Sequence, residues 1–213
     1  MKTWDDLEYW RSKEWETVQE RLEDLYQKGF DINPKREHIF TSLDLTSFDR
    51  TRVAIIGQDP YPNRMLSTGL AFSIPRGCSK RPPTLDNIFK EYVDDLGYPY
   101  PTSGDLTPWT KEGVLLWNAI PTCLDGCSKS HDWWEWTTLT QEIVRVLSAR
   151  SDVVLVFLGQ VARRYSPQTK MSLEYSHPSP RGAYAGWSPF MGSRMFSTIN
   201  ALLAPKGHID WKL

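Results

Sequence analysis

Polar segments that could do chemistry on a ligand occur at four places in the sequence. They are Gln58-Asp59-Pro60-Tyr61, Asn118, Gly159-Gln160 and His177. Asp and His form the usual pair for proton transfer or for stabilising charge. An Asn side chain offers both a donor and an acceptor, as is needed to read the amide-like edge of a pyrimidine. Tyr61 and the nearby Phe72 offer flat rings that could stack on a base or wall it in.

Each polar segment follows a predicted strand, and the first three of these strands are short apolar runs that are typical of a buried strand. The predicted strands cover residues 53–56, 114–118, 153–158 and 172–175. The stretches between them are long enough for crossovers, which indicates right-handed βαβ units and helices on both faces of a mainly parallel sheet. Because the carboxyl ends of parallel strands share one edge, we expect the polar segments to meet there and form a site. We therefore predict an α/β fold, a single three-layer α/β/α domain over residues 1–213 with a central four-stranded mainly parallel sheet.

Helical periodicity predicts the elements that cover this sheet. Apolar residues recur mostly every three or four positions from Trp4 to Gln27, so we expect an N-terminal helical segment, residues 1–28, packed on the domain. Further helices are predicted at 85–96, with Thr84 as N-cap, at 138–149 and at 190–203. A helix after the third strand carries Arg163 and Arg164, and residues 99–108 are predicted to form a loop.

Two alternatives bear directly on the candidate site. Asp59 precedes Pro60, so it could serve only in a local turn, accepting hydrogen bonds from nearby backbone amides. The spacing Cys123-x3-Cys127-x3-His131 could suggest a metal site, but tetrahedral zinc needs four ligands or three and an open position. No fourth ligand is indicated, so we expect free thiols, a surface or capping His131, and no metal.

Composition narrows the classes of protein. The 213 residues are 40% hydrophobic with a formal net charge of −1, but Arg64, Arg76, Lys80, Arg81 and Lys90 form a local basic stretch suited to nucleic acid. Three cysteines without disulfide spacing favour a reducing compartment. There is no apolar run long enough for a membrane span and no apolar signal core, which predicts a soluble, intracellular, cytoplasmic protein. Walker, GxGxxG, GxSxG and HExxH motifs are absent from the sequence, so the corresponding enzyme classes lack support.

Several blocks, in order, resemble the signature blocks of family-1 uracil-DNA glycosylases. They are Gly57-Gln58-Asp59-Pro60-Tyr61, Leu115-Leu116-Trp117-Asn118 and His177-Pro178-Ser179-Pro180. Gly69–Ser73 resembles that family's uracil-stacking block, and Arg81–Thr84 its proline-rich DNA loop. Matching positions also occur at Ser130-His131, Trp136 and Ile209–Trp211, so the resemblance covers roughly residues 30–213.

The resemblance implies hydrolysis of the N-glycosidic bond of uracil in DNA, which releases free uracil and leaves an abasic site. No cofactor, metal or lyase step is expected, and the base would be flipped out of the duplex. By resemblance, Asp59 orients the attacking water and stabilises the cationic sugar, while His177 donates to uracil O2 as a neutral imidazole. The remaining substrate contacts would come from Gln58 (backbone), Tyr61 (exclusion of a thymine methyl), Phe72 (stacking) and Asn118 (uracil O4 and N3).

The resemblance also assigns DNA contacts and exposes departures from the usual family pattern. The implied DNA-binding residues are Pro82, Pro83, Thr84, Gly159, Gln160, Ser179 and Arg181. Arg181 stands where the family usually presents an apolar wedge, and its planar guanidinium could still fill the vacated stack. Gly182 replaces a usual Ser, which removes one possible phosphate contact. Pro62 to Met65 replace a His and a glycine-rich run, so we expect a differently shaped water-binding loop.

Two other functions are compatible with parts of this pattern. A binder or sensor of uracil-containing DNA would not need both Asp59 and His177. A glycosylase of a related family with broader mismatch specificity is disfavoured by Asn118 and Tyr61, and the iron–sulfur branch by the lack of four cysteines. The expected partners are uracil-containing DNA, single- and double-stranded, and the DNA-mimicking inhibitor protein that blocks some family members. We expect a monomer.

Overall fold

A parallel sheet divides the molecule into two helical layers. The computed structural model describes residues 2–204 and 207–213. Its strands in those residues are β1 (Ile32–Asn33), β2 (Val53–Gly57), β3 (Val114–Asn118), β4 (Cys123–Leu124), β5 (Val154–Leu158) and β6 (Ser172–Tyr175). The main sheet has four parallel strands in the order β3-β2-β5-β6. The predicted strands and the predicted fold class are confirmed.

Alternation along the strands creates two hydrophobic cores. Every residue of β2, β3 and β5 is buried, as expected for a parallel sheet covered on both faces. In β2, Ala54 and Ile56 enter one core, whereas Val53 and Ile55 enter the other. The first core is closed by α1 (Lys13–Gln27), α2 (Thr41–Leu45), α5 (Trp134–Ser148) and α6 (Gln160–Arg163). The second is closed by α3 (Pro83–Leu96), α4 (Thr107–Lys111) and α7 (Met195–Leu203).

The N-terminal segment differs from the continuous helix that its periodicity predicts. It forms two short 3-10 helices, Trp4–Asp6 and Glu8–Arg11, before α1 begins. Ser12 interrupts the helix and caps α1, because its Oγ accepts a hydrogen bond from the Trp15 backbone N–H at 3.3 Å. A third 3-10 helix, Arg36–His38, precedes α2.

The start of α3 also differs from the prediction. Pro82 occupies the N-cap position and Pro83 the first turn, so Thr84 lies inside the helix and the predicted Thr84 cap is wrong. A proline at the first helical position needs no amide partner and has a suitable fixed φ. The predicted loop at 99–108 ends in α4, which begins at Thr107, and α5 begins four residues before the predicted residue 138.

A small antiparallel ribbon lies beside the main sheet. β1 and β4 pair through Ile32 with Leu124 and Asn33 with Cys123. The Asn33 side chain then donates to Asp125 Oδ1 at 2.9 Å. The ribbon therefore anchors the loop that follows β4, which contributes to the site described below.

In the part of the chain that the structure describes, no helix is long and apolar enough to cross a membrane.

Candidate active site

The polar segments at the carboxyl ends of the strands are brought together as predicted. Gly57 ends β2 and is paired in register with Asn118, the last residue of β3. The contacts are close, because a Cβ added to Gly57 would lie 2.8 Å from Asn118 Oδ1 and 3.0 Å from the Phe72 ring. A Cβ added to Gly159 would lie 3.0 Å from the Cβ of His177. Glycine at these two positions therefore leaves the space in which the site is built.

His177 follows β6 and is held as a neutral hydrogen-bond donor. Its Nδ1 accepts a hydrogen bond from the Ser179 backbone N–H at 3.1 Å. This bond assigns the remaining proton to Nε2. Burial lowers the pKa of His177 from its ordinary value of 6.5, while the negative charge of Asp59 acts in the opposite direction. At neutral pH the imidazole therefore presents an Nε2–H donor without a positive charge.

Asp59 follows β2 and accepts hydrogen bonds from both sides of its carboxylate. Gln58 Nε2 donates to Oδ1 at 2.9 Å. Ser128 Oγ and the Lys129 backbone N–H each donate to Oδ2 at 2.6 Å. Two of these donors lie 69 and 70 residues away along the chain, so the alternative of a purely local turn is contradicted. Sequence reasoning missed Ser128 and Lys129, which no motif near Asp59 indicates.

Tyr61 and Phe72 form a linked aromatic wall. The Tyr61 hydroxyl donates to the Phe72 backbone carbonyl at 2.9 Å, and burial raises the pKa of the Tyr61 phenol, so that it stays protonated. Phe72 has a φ of 66°, which is unusual for a residue with a Cβ. Its ring centroid lies 6.1 Å from that of His177, with the planes at 50°. The backbone strain at Phe72 thus accompanies a side chain directed at the site.

Asn118 presents an unpaired amide. The residue is only 7% exposed, and no described residue forms a hydrogen bond with its side chain. Its amide atoms are not among the described side-chain atoms that are both fully buried and without a partner, so the amide keeps access to solvent. The Asn118 amide is therefore available to a ligand that enters beside Phe72.

The proline-rich segment is joined to the loop that carries His177. Pro82, Pro83 and Thr84 lie at the start of α3, and Asn87 in the next turn donates to the Pro178 carbonyl at 2.9 Å. Asn87 is 5% exposed, so this bond is buried. The sequence offered no signal for Asn87 beyond its place on the polar side of a predicted helix.

The other residues predicted to bind DNA occupy two further loops. Gly159 and Gln160 lie at the start of α6, with Gly159 at a φ of 95°. In the loop after β6, the Ser179 carbonyl accepts the Gly182 N–H at 2.9 Å, and Arg181 is exposed with no ion pair to any described residue. A Cβ on Gly182 would lie 2.5 Å from the His177 carbonyl oxygen, so this tight loop excludes the usual Ser.

The predicted basic stretch divides into paired and unpaired cations. Arg81 donates to the Pro101 carbonyl at 2.6 Å and lies 3.3 Å from Asp86, so it stabilises the fold. Arg64 forms an ion pair with Asp31. Arg76, Lys80 and Lys90 are exposed, and none of them forms an ion pair with the described residues.

The unusual segment from Pro62 to Met65 is docked against the loop after β4. The Pro62 carbonyl accepts the Gly126 N–H at 2.6 Å, and the Arg64 N–H donates to Asp125 Oδ1 at 2.9 Å. The segment is therefore held by neighbouring backbone and carboxylate groups, although it lacks the glycine-rich run of the family pattern.

The cysteine and histidine spacing does not assemble metal ligands. The Cys123 thiol is buried, contacts the Pro60 carbonyl at 3.8 Å and has its pKa raised to about 12 by burial. His131 is 1% exposed, so the expectation of a surface or capping His131 is wrong. Its Nδ1 lies 2.9 Å from Thr122 Oγ1, its ring stacks on Trp133 at 4.2 Å, and burial lowers its pKa to about 4. Within the described ranges no group of three His, Cys, Asp or Glu residues could hold a metal ion.

Sequence comparisons identify relatives over most of the chain. Residues 44–204 match the sequence profile of the Uracil DNA glycosylase superfamily. The uracil-DNA glycosylase of Mycolicibacterium smegmatis is 43% identical over 173 residues, which cover 78% of this chain and 75% of that protein. Uracil-DNA glycosylase 2 of Streptomyces coelicolor is 40% identical over 189 residues, covering 85% of this chain and 81% of that protein.

Solved structures agree on the fold. The crystal structure of mimivirus uracil-DNA glycosylase matches with a TM-score of 0.82 and 23% identity, covering 96% of this chain and 86% of that one. A mimivirus UNG variant in complex with UGI matches with a TM-score of 0.88 and 24% identity, covering 98% and 87%. At such identities the structures show a shared architecture, and the profile and the closer sequence relatives carry the assignment further. The chain belongs to the uracil-DNA glycosylase superfamily.

Proposed function

We propose that this chain removes uracil from DNA by hydrolysing its N-glycosidic bond, releasing free uracil and leaving an abasic site. The observation that carries the proposal concerns Asn118. This largely buried residue has an accessible amide without a hydrogen-bond partner among the described residues, and it lies beside the Phe72 ring at the same sheet edge as Asp59 and His177. A planar base with an imide edge would satisfy that amide. The names of the relatives at about 40% identity support the same reaction.

Uracil would be read by one polar and two aromatic contacts. The Asn118 amide has one donor and one acceptor for uracil O4 and N3–H. Phe72 would stack on the base, and the Tyr61 ring, held by its bond to the Phe72 carbonyl, would occupy the space of a thymine methyl. Gln58 would add contacts through its backbone.

Cleavage of the bond separates charge, and the site has a group for each sign. The departing uracil gains negative charge at O2, where the neutral His177 Nε2–H would donate. The sugar gains positive charge, which the Asp59 carboxylate would stabilise while orienting the attacking water. Pre-oriented groups of this kind stabilise a transition state without reorganisation at the moment of reaction.

The base would reach this site only after leaving the duplex. Asn118 and Phe72, which would read uracil, are only 7% and 9% exposed, and an enzyme cannot reach a base that remains stacked. Pro82, Pro83 and Thr84, Gly159 and Gln160, and Ser179 with Arg181 would contact the DNA strand around the flipped nucleotide. Backbone amides and hydroxyls in such loops position phosphates without reading sequence.

The reaction is tested with purified protein and oligonucleotides that contain a single uracil, a single thymine or only normal bases. Alkaline cleavage then reports abasic sites. We expect cleavage at uracil alone. Uracil-DNA binding without cleavage would support a binder or sensor, and cleavage at mismatched thymine would support a broader glycosylase; either result would contradict the proposal.

Replacing Tyr61 with Ala should open the site to thymine. Because the ring excludes the methyl group by its bulk, its loss should produce measurable thymine excision where the unchanged protein shows none. The measurement is the rate of abasic-site formation in thymine-containing DNA. Tyr61→Phe is the matched control, since it keeps the ring and removes only the hydroxyl bond to Phe72. Thymine excision by the Phe variant, or none by the Ala variant, would contradict the steric role.

Replacing Arg181 with Ala should weaken processing of duplex DNA. If the exposed guanidinium fills the stack left by the flipped base, kcat/KM on duplex uracil should fall roughly tenfold. A smaller loss is expected on single strands, which have no stack to fill. Arg145→Ala is the control. Arg145 is also an exposed Arg, near the end of α5, and it is not among the residues predicted to bind DNA. Equal activity of the Arg181 variant on duplex DNA would reject the wedge role.

The proposal includes a location and an inhibitor. Action on DNA requires the compartment that holds DNA, so we propose an intracellular, cytoplasmic protein; its three free cysteines suit reducing conditions. Mimivirus UNG variants form complexes with UGI. We propose that a DNA-mimicking inhibitor protein would compete for the same loops here, which titration of uracil excision with such a protein would measure.

A further inference from the structure

The Asp59 carboxylate is held by a second loop of the chain, residues 124–130. Ser128 Oγ and the Lys129 N–H both donate to Oδ2 at 2.6 Å, which is typical of a hydroxyl donor to a carboxylate and short for an amide donor. Lys129 has a φ of 61°, a conformation that is uncommon for a residue with a Cβ. The backbone of the 124–130 loop is thus turned so that two successive residues donate to one oxygen.

The 124–130 loop is itself anchored at several points. Ser130 Oγ accepts the Leu124 N–H at 2.7 Å, which closes the loop. Asp125 accepts from the Asn33 side chain and from the Arg64 N–H, both at 2.9 Å. The loop therefore forms a fixed support, and Ser128 contacts Asp59 from a defined position.

The arrangement also distinguishes the two carboxylate oxygens. Each oxygen of an ionised carboxylate can accept about two hydrogen bonds. Among the residues that the structure describes, two donors contact Oδ2, from Ser128 and Lys129, whereas one contacts Oδ1, from Gln58 Nε2. Oδ1 is thus the oxygen with room for a water molecule.

We propose that Ser128 is a positioning residue for uracil excision, whose hydroxyl, with the Lys129 N–H, fixes the Asp59 carboxylate so that Oδ1 holds the attacking water. This role rests on the proposed function and on the catalytic role of Asp59. Without the hydroxyl, the carboxylate keeps one donor on Oδ2 and can rotate away from the water and the sugar. Small displacements of a catalytic group cost rate, while substrate binding by the uracil pocket is unaffected.

The test compares Ser128→Ala, Ser128→Thr and Ser130→Ala in single-turnover and steady-state excision of uracil. Ser128→Ala should lower kcat roughly tenfold with KM nearly unchanged. Ser128→Thr keeps the hydroxyl and should restore most of the rate. Ser130→Ala weakens the closure of the loop but leaves both donors to Asp59 Oδ2, so it should lower Tm and reduce kcat less than Ser128→Ala does.

Different results would reject the role of Ser128, the role of Asp59 and the proposed function. An unchanged or raised kcat in Ser128→Ala, no recovery in Ser128→Thr, or equal kcat losses in Ser128→Ala and Ser130→Ala would overturn the positioning role. In an Asp59→Ala background, Ser128→Ala should cause no further loss, and an additive loss would overturn it as well. No uracil excision by the wild-type protein would instead reject the proposed function, and full activity of Asp59→Ala would reject the role of Asp59.

Discussion

Replacing Asp59 with Asn is expected to lower kcat for uracil excision about a thousandfold. The substitution keeps the size of the side chain and removes its charge, so the loss reports the attraction between the carboxylate and the cationic sugar. Two unit charges about 4 Å apart at an effective dielectric constant of about 20 attract by roughly 4 kcal/mol. That free energy corresponds to about three powers of ten in rate. The measurement is kcat on single-uracil DNA beside the Kd for the same DNA.

The Kd for uracil DNA distinguishes a catalytic role of Asp59 from a structural role. The Asn118 amide and the Phe72 ring do not depend on the charge of Asp59, so the Kd for uracil DNA should change far less than kcat. Asp132→Asn is a matched control, because it removes the same charge from an exposed carboxylate, which forms a long ion pair of 3.9 Å with the Arg164 guanidinium. Equal losses of binding and turnover in the Asp59 variant would contradict its assigned role.

Replacing His177 with Ala should lower kcat by about two to three powers of ten, the usual result of losing one donor to a developing anion. The Nε2–H is assigned by the bond that Nδ1 accepts from Ser179. The Tm of the variant must be measured with kcat, since His177 also packs against Gly159. His177→Gln is the informative partner variant, because its amide can donate. Full kcat in His177→Ala would exclude His177 as the donor, and a higher kcat in His177→Gln than in His177→Ala is the result expected of a donor role.

The lowered pKa of His177 also predicts the pH dependence. Protonation of Nδ1 would place a second donor opposite the Ser179 N–H and break the hydrogen bond between them. The neutral ring is therefore the form that fits the site. Since the folded pKa lies below 6.5, kcat/KM should persist as the pH falls past that value and decline only at the lowered pKa. As the pH falls, the unfolded chain takes up this proton near pH 6.5, before the folded chain does. The contribution of His177 to the free energy of unfolding is therefore fully present above pH 6.5 and is lost as the pH falls from 6.5 to the lowered pKa of the folded state. A midpoint above 6.5 for the His177 ring in an NMR titration would contradict this account.

The fold could be predicted because its signals are local. Val53–Gly57 and Val154–Leu158 are apolar throughout, and each is followed by a glycine or a polar residue, which is the pattern of a parallel strand buried on both faces. Once the strands were parallel, their carboxyl ends had to share an edge. The juxtaposition of Gly57, Asn118, Gly159 and His177 followed from that geometry.

The start points of helices and the burial of polar side chains were less predictable, because they depend on distant contacts or on competing local preferences. Ser12 interrupts an apolar pattern that reads as one helix, and two prolines displace Thr84 from the N-cap. His131 is polar by type, yet it is 1% exposed and contacts Thr122 and Trp133. Tertiary packing overrides residue preferences at such positions.

By itself, the sequence determined the strands, the edge at which they end, and the residue types of the candidate site, because strand and motif signals are carried by neighbouring residues. Only the tertiary structure decided how those side chains are held. The Asp59 carboxylate is bound by Ser128 and Lys129 from about 70 residues away, and Asn87 reaches the Pro178 carbonyl across 91 residues. Such bonds depend on loops whose paths are set by the folded chain, and a single sequence contains no periodicity that predicts them.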